Sequence, residues 1–204
     1  MAVGDIFSLG RMEQDYSNLE KPIEWQVLDV KDGKALVISR YGLFDAKYNY
    51  TKNDVTWENC SLRKNLNGLF LTKTFSKEEQ ELILETQVVN ADNPVRGTEG
   101  GNDTTDRLFL LSLDEALVYF HMTKNERGGH TYATGDGCNC LPTERASAGG
   151  WYQNYDECYW WLRTAGDLGY DACVAIKDEI DAFGCCVDDY CIVVRPAMWI
   201  KLGN

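Results

Sequence analysis

Apolar and polar residues alternate along Ile23-Glu24-Trp25-Gln26-Val27-Leu28-Asp29-Val30. That two-residue period marks a half-buried strand, and Pro22 places its start. Asp32-Gly33 follows, a pair suited to the positive φ angles of a tight hairpin turn. Ala35-Leu36-Val37-Ile38-Ser39 returns as a more buried strand, and Ile6, Phe7 and Leu9 predict a short strand ahead of the hairpin. Past residue 57 the period lengthens: Leu62, Leu66, Leu69 and Phe70 recur at helical spacing and predict a helix within residues 57–70. Ser76-Lys77-Glu78-Glu79 is a capping-box sequence, launching a helix to residue 85 with Leu82 and Ile83 facing inward. Gln87-Val88-Val89 predicts a strand, and residues 90–106, rich in Gly, Asn, Asp and Thr, predict a loop. Leu108-Phe109-Leu110-Leu111 reads as a buried strand, with Ser112 placed to cap a short helix over 113–120. Residues 123–150 are glycine-rich with almost no apolar period and read as a long surface loop. Strands are predicted again at 159–162, 172–176 and 192–200. The pattern is that of an α+β protein: a mostly antiparallel sheet with two or three short helices and long loops, in a single domain over residues 1–204.

The stretch from Trp160-Trp161-Leu162-Arg163 to Arg195-Pro196-Ala197-Met198-Trp199-Ile200 does not follow one period. Between its two tryptophan-bearing ends, small or apolar residues (Ala172, Val174, Ile180, Gly184, Val187) are interspersed with Cys, Asp, Tyr, Ala and Phe that follow no packing logic. A framework holding a surface is the economical reading.

Charge narrows the partners. A chain of 204 residues with a formal charge of −12 lacks the clustered Lys and Arg that nucleic acid or an anionic membrane surface requires. No run reaches the ~20 apolar residues of a membrane span. The first residues, Met1-Ala2-Val3-Gly4-Asp5, show neither the basic nor the apolar region of a secretory signal, so the expected location is the cytoplasm or a phage particle.

Candidate chemistry is sparse. His121 and His130 have no nucleophile-elbow context, and Gly-x-Ser-x-Gly is absent, so both read as surface histidines. Of eight cysteines, seven lie between Cys138 and Cys191. Cys138-Asn139-Cys140 and Cys185-Cys186 have the wrong spacing for a zinc site, and without C-x-x-C there is no thioredoxin-like motif. Asp178, Glu179, Asp181, Asp188 and Asp189 could offer oxygens to calcium but miss the calcium-loop pattern; solvated loop carboxylates are the better reading. Gly97-Thr98-Glu99-Gly100-Gly101 is not a phosphate loop, since no Lys follows. Trp160, Trp161 and Trp199 read as core, although strand alternation turns one of the adjacent pair to the far side, where it would border a binding surface. Arg163 and Arg195 read as framework ion pairs with carboxylates.

Several segments together resemble a known family. Gly4-Asp5, Pro22-Ile23-Glu24-Trp25, Lys34-Ala35-Leu36-Val37-Ile38-Ser39, Trp57-Glu58-Asn59-Cys60-Ser61-Leu62-Arg63, Asn102-Asp103-Thr104-Thr105-Asp106, Leu110-Leu111-Ser112 and the two terminal Trp motifs resemble a bacterial and phage domain family of unknown function. That family looks C-type-lectin-like, akin to the formylglycine-generating-enzyme type of the fold. Asp178-Glu179 departs from the Asp-Gly-Ser of many members, and Thr164-Ala165 from their Ser-Pro. Proteins with this ending include variable proteins of diversity-generating retroelements, in which template adenines are copied with errors. An Asn codon AAC then becomes any codon ending in C, which never encodes Lys, Glu, Gln, Met or Trp.

The resemblance implies a diversified ligand-binding segment at about residues 150–192. Its candidate variable positions are Tyr170, Asp171, Cys173, Ala175, Ile176, Asp181, Ala182, Phe183, Cys185, Cys186, Asp188, Asp189, Tyr190, Cys191 and Ile192, all of permitted types. Lys177 and Glu179 would be fixed by the template. On this reading the cysteines are by-products of codon randomisation. The expected partner is a macromolecule, protein rather than nucleic acid, and no catalytic residue, metal or cofactor is expected. Two alternatives stand beside it: a non-diversified member with a structural or adhesion role, and an oxidase of the formylglycine-generating type using copper and paired cysteines, for which no matching pair can be assigned.

Overall fold

Strands β1 (Ile6–Glu13), β2 (Glu20–Lys31) and β3 (Lys34–Ser39) form an antiparallel meander in the computed structural model, which describes residues 1–127, 130–134, 137–146, 158–177 and 179–203. The β2–β3 turn is the expected one: Asp32 and Gly33 have φ of 50° and 71°, the left-handed pair that a two-residue hairpin demands. The alternation in β2 buries Ile23, Trp25 and Val27 on one face.

The chain then leaves the sheet. After β4 (Phe44–Asp45), Cys60 caps α1 (Ser61–Asn65), its Sγ accepting the Arg63 N–H. A π-helical turn over Leu66–Phe70 joins α1 to α2 (Leu71–Thr74). The wider turn shifts the buried face, so Leu62, Leu66 and Leu71 are buried while Leu69, expected inside, is 56 % exposed. Ser76 and Glu79 form the expected capping box on α3 (Lys77–Leu82). That helix stops before residue 85, Leu82 faces solvent, and Ile83 enters the core in extended conformation, bridging to Ile200. Within the predicted 90–106 loop, β6 (Thr104–Asp106) pairs with β5 (Thr86–Val88). Leu108 to Leu111 are buried as expected, but their only bridge among the described residues is Phe109 to Ala197. A second capping box, Ser112 with Glu115, starts α4 (Leu113–Tyr119).

Within the predicted surface loop at 123–150, β7 (Thr123–Arg127) and β8 (His130–Thr134) form an antiparallel hairpin, and Cys138, Cys140 and Ala146 are buried. Residues 128, 129, 135, 136 and 147–150 of that stretch lie outside the described residues, as do 151–157 and Asp178.

The last third supplies β9 (Trp160–Ala165), β10 (Asp171–Ile176), β11 (Glu179–Cys186), β12 (Val193–Val194) and β13 (Ala197–Lys201). Residues 192–200 are therefore not one strand. Pro196, with no N–H to give a ladder, divides them between two sheets. β13 pairs with β3 to complete the order β1-β2-β3-β13, whereas β12 joins the second sheet, ordered β11-β10-β9-β12-β4. Apart from the parallel β9–β12 bridge the pairings are antiparallel. The fold is α+β and sheet-dominated, with short helices, and no described helix is long and apolar enough to cross a membrane.

The largest fully buried rings of the described core each have a partner for their polar atom. Trp25 donates to the Leu9 carbonyl, Trp57 to Asp106, Trp160 to the Cys138 carbonyl, Trp161 to the Ala46 carbonyl, and Tyr48 to the Arg163 carbonyl. Trp160 and Trp161 are both fully buried, so neither borders a surface; β9 is an inner strand of its sheet and covered on both faces. Arg163 makes the expected ion pair, forked on Glu115 and donating also to the Leu110 and Val89 carbonyls. Arg195 does not: no carboxylate among the described residues pairs with it, because its guanidinium is enclosed by Ser39, Phe120 and Trp160.

Candidate functional site

The β10–β11 hairpin carries most of the candidate positions, and its shape comes from one irregularity. Ala172 pairs with Cys185, but the next pairing is Val174 with Asp181, so Ala182 to Gly184 lie opposite Cys173 alone. Gly184 makes this bulge feasible. Its φ is +79°, and a Cβ there would lie 2.2 Å from the Ala172 carbonyl oxygen. Only glycine tolerates both conditions.

Asn93 fills the bulge. The side chain is 1 % exposed, and its amide donates to the carbonyls of Ala165 (2.7 Å), Ala182 (2.9 Å) and Gly166 (3.2 Å). Its Oδ1 accepts from Val95 N–H and Arg96 N–H (2.9 and 3.0 Å). One buried residue thereby pins the 93–98 loop to the end of β9 and the middle of β11. Sequence reasoning missed it, since a lone Asn in a polar loop carries no period; the Asn93-Pro94 dipeptide, a turn former, was the available signal.

Cation–aromatic contacts extend this platform. The Arg96 guanidinium carbon lies 4.3 Å from the Phe183 ring centre while its Nε pairs with Asp167. Lys52 Nζ lies 4.7 Å from the Tyr170 ring centre. Tyr50 (70 % exposed) precedes Lys52 by two residues, and its loop is held by Asn49 N–H donating to Val187 O. Beside Tyr170, a groove of about 380 Å³ is lined by Asp54, Thr56, Asn59, Thr98, Glu99 and Gly169. Lys52, Arg96 and the groove residues come from loops that the sequence pattern did not connect to residues 170–192.

The structure divides the candidate positions. Tyr190 is exposed, and Tyr170, Asp171, Ile176, Asp181, Phe183, Cys185, Cys186, Asp188, Asp189 and Cys191 are half-buried. Ile176 stands apart, at the opposite end of β10 from Asp171. Cys173, Ala175, Ala182 and Ile192 are buried and offer no surface. Cys173 is enclosed by the bulge, its thiol donating to the Ala165 carbonyl (3.2 Å). Ala175 pairs with Trp160 in the inner sheet, Ala182 lies in the bulge itself, and Ile192 packs in the core ahead of β12. The framework residues Ala172, Val174, Ile180 and Val187 are all within 1 % of full burial.

Electrostatics keep the thiols here protonated. Burial, with Asp189, Asp181 and Asp171 adding, pushes Cys185 up to about 12. Burial raises Cys186 as well, helped by a hydrogen bond to Asp188 and opposed by Lys52. Burial also raises the Asp171 carboxyl, reinforced by Asp167 and Asp181 against Lys52. An activated nucleophile needs the reverse shift. Among the described residues no group of three or more His, Cys, Asp or Glu could hold a metal ion. What this surface can offer is contact area: aromatic rings on a fixed backbone, with Lys52 and Arg96 set among carboxylates.

A family model described as a domain of unknown function (DUF6273) matches residues 32–202, and the chain belongs to that family. No curated protein and no solved structure matches it.

Proposed function

We propose that this DUF6273 domain is a ligand-display protein: a C-type-lectin-like scaffold whose surface residues between 170 and 191 are diversified by a retroelement to recognise a macromolecular partner, a protein. One observation carries the reading. Within a single hairpin and the loop after it, eleven of the fifteen positions of adenine-derivable type are exposed or half-buried, while the framework residues Ala172, Val174, Ile180 and Val187 between them are buried. Supporting it, Tyr170, Phe183 and Tyr190 supply large rigid contact area at small entropic cost, as aromatic residues do in antibody loops. Lys52 and Arg96 would be the constant part of the surface, orienting two of those rings. Cysteines with raised pKa values and no metal-binding arrangement among the described residues suit a by-product of codon randomisation better than a redox centre.

The test lies in the flanking DNA. A reverse-transcriptase gene and a near-repeat of the codons for residues 150–200, carrying adenines where this gene has other bases, are the expected finding. A locus with neither overturns the proposal.

A further inference from the structure

Arg195 is a buried charge that no carboxylate among the described residues pairs with. It is 2 % exposed, and its Nε–H donates to the Ser39 carbonyl (2.9 Å). The guanidinium carbon lies 5.2 Å from the Trp160 ring centre and 5.3 Å from that of Phe120. Nη1 has no hydrogen-bond partner among the described residues. Arg163, buried almost as deeply, has a carboxylate where Arg195 has none: its two Nη atoms fork on Glu115 and donate to two backbone carbonyls, although its Nε is also left without a partner among the described residues. Two ring faces offset only part of the desolvation that Arg195 suffers.

The thiol of Cys140 feels this charge. Its pKa is lowered first by a hydrogen bond from Cys158 and then by Arg195 and the Gly42 N–H, against the opposing effect of burial. The thiol form donates to the Leu141 carbonyl (3.5 Å), and only the thiolate, favoured by a pKa lowered to about 7, sets a charge against the guanidinium.

Arg195 also forms part of the wall of a cavity of about 450 Å³ between β2 and the end of α4. That volume is within the range of small-molecule sites. Val27, Leu28 and Phe120 give it apolar sides, and Tyr119 and Asn139 add polar groups. Burial, with Asp29 and Glu115 adding, pushes the Tyr119 phenol up to about 12, so its hydroxyl remains a donor. None of the candidate display residues lines this cavity.

We propose that the cavity binds a small organic monocarboxylate, its carboxylate on the Arg195 guanidinium and its apolar body against Val27, Leu28 and Phe120. A planar carboxylate matches the guanidinium fork. Arg195 is the one Lys or Arg among the described lining residues, with His121 as the other basic group; one permanent cation in a chain of charge −12 disfavours a strongly hydrated polyanion such as phosphate.

Calorimetry and thermal melts with benzoate, hexanoate and the uncharged benzamide test the proposal on the native chain. At least one carboxylate should saturate a single site with Kd below about 1 mM and raise Tm, with benzamide at least about tenfold weaker than benzoate. Arg195→Gln should abolish carboxylate binding. If that variant does not fold, the benzoate–benzamide contrast on the native chain decides alone. Equal binding of benzoate and benzamide, or no saturation by either carboxylate below about 10 mM, overturns the proposal, as does undiminished binding by a folded Arg195→Gln protein.

Discussion

Cys173 and Cys186 carry the same side chain in the same hairpin, and the fold treats them oppositely. Cys173 is fully buried under the bulge, with its thiol committed to the Ala165 carbonyl, whereas Cys186 is half-buried beside Lys52 and Asp188. Residue type could not separate them, because the difference is made by the neighbours that the bulge brings in. Thiolate fraction and access together control alkylation. Native protein treated with iodoacetamide at neutral pH should therefore be modified at Cys186 before Cys185, whose thiol is pushed up to about 12 by burial and three carboxylates. Cys60 and Cys173 should react only after denaturation, since both are fully buried and both have raised pKa values. Peptide mass spectrometry of native and denatured samples reads the order; early labelling of Cys173 would mean that the bulge opens.

At the scale of elements, the bulge and its Asn93 plug decide where the display surface stands. Asn93→Ala removes the donor shared by the Ala165, Ala182 and Gly166 carbonyls and the acceptor for two N–H groups. Leaving those groups buried and unpaired should cost about 2–4 kcal/mol, a fall in Tm of about 5–15 °C for a chain of this size. Gly184→Ala forces a Cβ against the Ala172 carbonyl at positive φ and should cost about 2 kcal/mol or more. Glu85→Ala, at an exposed position, serves as a control within about 0.5 kcal/mol. Chemical denaturation of the three variants checks the ranking, and an Asn93→Ala protein as stable as the control would remove Asn93 from its positioning role. These two residues also explain what pattern alone could and could not reach. The β2–β3 hairpin, the Ser76 capping box and the Ser112 cap were legible because each is specified by residues close together in sequence; that Glu115 completes a second box was not read. β11 was not, because a three-against-one bulge destroys the two-residue period. The 192–200 segment misled for a related reason: Pro196 sends a continuous apolar run into two different sheets, which no local period records.

For the whole molecule, the relevant division is between backbone that must not change and surface that can. β1 and β13 are the two outer strands of the β1-β2-β3-β13 sheet, while the candidate segment occupies the edge strand β11 of the second sheet, its neighbour β10 and the loop that follows. A display protein survives randomisation only if the randomised positions are those whose side chains the core does not use. Filling or emptying a buried position costs roughly 1–5 kcal/mol, and a marginally stable domain cannot absorb that at several sites at once. The structure thus imposes a narrower pattern on the proposed template than residue type did. Adenines should mark the codons of Tyr170, Asp171, Asp181, Phe183, Cys185, Cys186, Asp188, Asp189, Tyr190 and Cys191, and should be absent from the variable columns at Cys173, Ala175, Ala182 and Ile192, which are buried. Ile176, half-buried at the far end of β10, belongs with the first group by exposure but not by position. Alignment of the gene with a template repeat at the locus measures this directly. Mismatches at adenines concentrated on the solvent-facing set would tie diversification to the geometry of the hairpin. Mismatches spread equally over the buried four would mean that the core tolerates randomisation, and the separation of framework from surface argued for this fold would fail.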